Sequence, residues 1–159
     1  DAIMMNPDVA AKASAQGMHV VASTQEVGRQ VPSPQGGWAV TDSALQGRRD
    51  IVKRWMRATI TSLRFIRDHQ PETAAIAAKA FQMEVDVARG ALPAVVEAID
   101  PNDLGGFSDA GIKLEIANDL DAVKGQASVT GVDQLTDLGL LRQAQKELGV
   151  PCKSGYNCT

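Results

Sequence analysis

Two short apolar runs, Asp1 to Met5 and His19 to Ser23, flank a segment opened by Asn6-Pro7 and closed by Gly17. No other feature restricts the fold as strongly. Proline has no N–H to lose in the first turn of a helix, and asparagine is a good residue just before it. Glycine accepts the left-handed conformation that ends many helices. A helix carrying Val9, Ala10, Ala13 and Ala15 is therefore predicted between the two runs, which read as strands. Strand, helix and strand joined by brief connections form a βαβ unit, so the expected class is α/β with short parallel strands.

Thr24 to Gly37 reads as a loop, because Pro32, Pro34, Gly36 and Gly37 crowd it and no periodicity crosses it. Trp38 to Thr41 reads as a third strand. Beyond it the pattern turns helical. From Asp50 to His69, the residues Ile51, Val52, Trp55, Met56, Thr59, Ile60, Leu63 and Ile66 recur at the spacing of one helical face. Gln70-Pro71-Glu72 ends that helix and starts an alanine-rich one reaching Phe81. A third runs from Glu84 to Ile99, bent at Pro93. Ser108-Asp109 opens another, with Ile112, Ile116, Leu120 and Val123 as its apolar positions. Gly125 to Gly131 is a break, and Leu138 to Leu148 the last helix. The expectation is one domain over 1–150, a small α/β start under a mostly helical C-terminal layer, with a cysteine-containing tail at 151–159.

Aromatic residues make up only 4% of the 159, so the core must be aliphatic and rich in alanine. The formal charge of −3 supplies no global basic field for nucleic acid, which is not expected as a partner. No apolar run approaches the roughly 20 residues that span a bilayer. The first residue, Asp1, is expected to follow a processing or cutting event. Cys152 and Cys158 lack the further ligands of a zinc site. They are either a local disulfide, suited to an oxidising compartment, or two free thiols.

The order of these elements resembles the C-terminal portion of solute-binding proteins of the nitrate/sulfonate/taurine and thiamine-precursor type, which serve ABC importers. The matching residues are Asp1-Ala2-Ile3-Met4-Met5, the Pro7 to Gln16 helix with Gly17, and His19-Val20-Val21-Ala22. Gly36-Gly37-Trp38-Ala39-Val40 and His69-Gln70-Pro71-Glu72 continue the match. The resemblance implies part of a periplasmic-binding-protein type II lobe, the remainder lying outside this chain. It also implies a periplasmic or extracytoplasmic location, a small anionic or heteroaromatic solute, a membrane permease as partner, and no cofactor. A lobe so divided would leave the edge of Asp1 to Met5 and His19 to Ser23 open to pairing, so a homodimer through that edge is expected.

In open parallel sheets, ligands sit beyond the carboxyl ends of the strands. Asn6, Pro7 and Asp8 hold that position after the first strand, where free helical N–H groups could receive an anion; the plainer alternative is that Asn6 caps its own helix. Gln35, Gly36, Gly37 and Trp38 are the second candidate, glycines for close backbone approach and an indole to stack on a ring. There the alternative is a tight turn with Trp38 in the core.

Arg48, Arg49, Lys53, Arg54, Arg57, Arg64 and Arg67 give the 50–69 helix a cationic character. Acidic neighbours elsewhere in the chain could pair with them. The sharper reading is a helical interaction module that docks a protein partner through this basic helix. No nucleophile–base pair or metal-ligand spacing emerges around His19, His69 or the cysteines, so no enzyme is expected.

Overall fold

The computed structural model describes residues 2–31, 36–122, 132 and 136–152. Among these residues there are eight helices and no strand. They are α1 (Pro7–Ala15), α2 (Thr24–Gln30), α3 (Asp42–Gly47), α4 (Arg49–Asp68), α5 (Gln70–Ala80), α6 (Val85–Glu97), α7 (Asp109–Ala122) and α8 (Gly139–Glu147). The expected α/β class, with its short parallel strands and type II lobe, is thus corrected to a helical one.

The reasons are local. Residues 2–6, 18–20 and 36–41 lie in irregular backbone, and Ile3, Met4, Val20 and Val21 stand exposed with no neighbouring strand. Runs of four or five residues pair only if another part of the chain supplies the ladder, and isolated strand pairs are marginal in water. Helix initiation competes for the same residues. Ser23 accepts from the Glu26 N–H at 3.2 Å, and the Glu26 carboxylate accepts from the Ser23 N–H at 2.7 Å. This reciprocal capping box opens α2 inside the expected loop. Thr41, expected to end a strand, accepts from the Ala44 N–H and caps α3. With no sheet among the described residues, the edge expected to drive dimerisation is not formed.

Helix ends follow the chain's punctuation more closely. Gly17 takes φ +89°, and the N–H groups of Gly17 and Met18 return to Ser14 and Ala13. That is a Schellman ending for α1. Gly149, at φ +62°, ends α8 the same way, with Val150 bonding back to Gln145. At the end of α5 the left-handed position is Gln82, at φ +51°. Pro93 lies inside α6, as expected.

The chain divides into two compact units: Asp1–Val27 with Ser62–Ile99, and Gly28–Thr61 with Asp100–Thr159. In the first, α6 packs against α5 and α1. Its core is built from Ala74, Ala78, Ala88 and Leu92, with Ile66, Ala77 and Met83 against them. Small side chains on facing helices let the backbones approach closely, which is how a core poor in aromatics is filled.

In the second unit, Val52, Ile60, Leu104, Ile112, Ile116, Leu140, Leu141, Ala144 and Val150 are buried. A polar cage sits there too. Arg142 donates to both carboxylate oxygens of Asp103 and to the Gln145 amide oxygen. Gln145 in turn donates to Asp103 at 2.8 Å and to the Leu104 carbonyl at 2.9 Å. Buried charges are tolerated when paired and hydrogen-bonded in this way.

Candidate interaction surface at the start of α4

The sequence placed Trp55 on the buried face of the long helix. Val52 and Ile60 are buried, and Met56, Thr59, Leu63 and Ile66 partly so. Ile51 and Trp55, one turn apart on the adjacent stripe, are each 50% exposed. The apolar face was wider than one packing interface could cover, so its edge faces solvent.

Trp38 stands against Trp55. The ring centroids are 5.1 Å apart and the planes cross at 89°, an edge-to-face pair. Trp38 is 65% exposed, so it is not the core residue that the alternative reading of its turn required. Such a pair is worth about 0.5–1.5 kcal/mol, and it leaves much of both rings in water. A tryptophan buries roughly 200 Å², so half a ring still open represents roughly 2–3 kcal/mol available to whatever covers it. Val40, two residues beyond Trp38, is also exposed.

The cations of α4 have separate employments. Lys53 and Arg57 both reach the carboxylate of Glu147 on α8, Arg57 at 3.3 Å. These two therefore hold elements of their unit together. Arg54 pairs with Asp50 one turn earlier at 3.1 Å, and both side chains stay largely exposed. Near the C-terminal end of the helix, Arg67 donates to Asp68 at 2.8 Å. That hydrogen bond holds the Asp68 carboxyl below its ordinary range; desolvation opposes it, and the positive charge of Arg67 adds to it. Arg48 and Arg49, at the start of α4, are exposed and have no ion pair among the described residues.

The residues singled out from sequence are divided between the two units. Asn6 precedes α1 but its side chain makes no capping hydrogen bond, and Pro7 and Asp8 form the first turn. All three belong to the first unit. Gly36, Gly37 and Trp38 belong to the second, while Gln35 lies outside the described residues. Gly36 and Gly37 have open space around them, with no protein atom within 4 Å of where a Cβ would stand. Cys152 is disulfide-bonded. Cys158, Val123 and the break at 125–131 lie outside the described residues. His69 stacks on Phe65, with ring centroids 4.7 Å apart. Among the described residues no group of His, Cys, Asp or Glu could hold a metal ion, and no helix is long and apolar enough to cross a membrane.

The sequence singled out Trp38 without pairing it to Trp55. The signal for Trp55 was present: Ile51 and Trp55 form a second stripe one residue out of step with Val52, Met56 and Ile60. Comparison with protein-family models, curated proteins and solved structures finds no match.

Proposed function

We propose that this chain is a helical interaction module that engages a protein partner through the start of α4. The observation that carries this is the exposed pair Trp38–Trp55, with Ile51 one turn away. Tryptophan, tyrosine and arginine are the residues most enriched among those that dominate binding energy at protein interfaces, and contiguous exposed apolar surface, unlike singly scattered residues, marks interaction sites. Arg54 beside Trp55, with Arg48 and Arg49 before it, supplies a polar margin.

Solute capture for an importer drew its support from helix N-termini set at the ends of a parallel sheet. Without strands among the described residues, that support is gone, whereas the interaction reading gains side chains in the open. The disulfide at Cys152 supports an oxidising, extracytoplasmic setting for the module.

Selection of displayed random peptides on the immobilised chain tests the reading. Binders should lose at least tenfold in affinity against the double variant Trp38→Ser/Trp55→Ser. Binders that all ignore this double substitution would refute an interaction surface here.

A further inference from the structure

We infer that the segment recognised by this surface is an acidic stretch of protein carrying one apolar anchor, a conclusion that rests on the interaction reading above. Around the tryptophan pair the charge is lopsided. Residues 36–61 hold five cations, Arg48, Arg49, Lys53, Arg54 and Arg57, against the two anions Asp42 and Asp50. Lys53 and Arg57 share a single carboxylate, that of Glu147, so one of their two positive charges remains uncompensated. Arg48 and Arg49 have no ion pair among the described residues. This local excess stands on a chain whose formal charge is −3 overall.

Arg54 adds an exchangeable contact. Its bond to Asp50 is one helical turn long and solvent-exposed, a kind of pair that contributes little and can be traded for a carboxylate from outside. The apolar element has its own seat. Ile51 and Trp55 lie four residues apart, hence on one stripe, and Trp38 meets Trp55 edge to face. An aliphatic or aromatic side chain laid there covers surface that is now in water. Carboxylates on either side of that anchor reach the arginines at the start of the helix. The outcome is affinity from the anchor, and selectivity and encounter rate from charge.

Single-stranded nucleic acid is the competing occupant, since indoles and arginines also serve base stacking. The edge-to-face arrangement disfavours it, because the edge of one indole occupies a face of the other and no parallel slot for a base opens between them. The negative overall charge opposes a polyanion more than a short acidic segment.

The displayed peptides supply the test. Those clones whose binding needs Trp38 and Trp55 should be enriched in Asp and Glu around one Leu, Phe or Trp. A synthetic peptide from such a clone should bind on the order of tenfold more weakly when its acids become Gln, and weaker still with Lys. Its affinity should fall several-fold from 0.05 to 0.5 M salt, and the Arg48→Glu/Arg49→Glu variant should lose it while unfolding at the wild-type midpoint. Tryptophan-dependent clones without acidic enrichment, or equal binding of the Gln peptide, would overturn the acidic partner and leave the interaction surface standing. Tighter binding of a single-stranded oligonucleotide than of any selected peptide would overturn the partner class. Absence of tryptophan-dependent clones would remove the surface itself.

Discussion

The guanidinium of Arg142 engages both carboxylate oxygens of Asp103, thirty-nine residues earlier, and both side chains are buried. Gln145 closes the cage from the next turn of α8. Removing one partner leaves the other charged, dry and unpaired, which costs about 3–5 kcal/mol. Asp103→Ala should lower the urea unfolding free energy by that amount. The triple change Asp103→Leu/Arg142→Met/Gln145→Leu should recover most of the loss, because it replaces the whole cage with apolar groups and leaves neither a charge nor the Gln145 amide buried without a partner.

Gly106 is required by the same cage. Any Cβ at this position would overlap the Asp103 carboxylate, which Arg142 and Gln145 hold from the other side. Gly106→Ala should therefore destabilise by about 1–3 kcal/mol. Gly90, within α6, has open space around it. Gly90→Ala should stabilise by about 1 kcal/mol, since alanine loses less chain entropy in a helix. Thermal unfolding of the two variants should move in opposite directions.

Two helix ends offer further checks. Ser23→Ala removes one half of the capping box on α2 and should cost about 1 kcal/mol. Gln82 occupies a left-handed position without being glycine, so Gln82→Gly should raise stability by about 0.5–1 kcal/mol in the same denaturation experiment.

Asp68 should titrate below an ordinary aspartate, because its ionised form accepts the hydrogen bond from Arg67. A depressed folded value means that its contribution to stability is present above the unfolded pKa and fades as pH falls through the folded one. Carboxyl-carbon NMR titration should show the depression, and Arg67→Gln should move the midpoint upward. An unchanged midpoint in that variant would assign the depression elsewhere.

Much of the helical layer was legible in the residues alone. Apolar spacing located α4 and the last helix, α8, Pro71 located the start of α5, and Ser108-Asp109 marked that of α7. Those signals are local, and helices are built from local contacts. The N-terminal reading failed because Ile3 to Met5 and Val20 to Ala22 fit a strand by composition, yet a strand also needs a distant partner that composition cannot supply. Ser23 and Glu26, three apart, held the capping signal for α2, but the prolines and glycines that follow suggested a loop. Asp103 and Arg142 lie too far apart for any spacing rule to join them. Trp55 was assigned to the core because the apolar face of α4 spans two stripes, and sequence alone does not say which one packs.

Fluorescence tests the interaction surface most directly. Trp38 and Trp55 are the only tryptophans of the chain, so its indole emission reports on this face alone. Emission from the free protein should be red-shifted and efficiently quenched by acrylamide, moving to the blue and becoming protected when a selected acidic peptide without tryptophan binds. Blue-shifted, quench-resistant emission from the free protein would put the rings in a core and contradict the assignment.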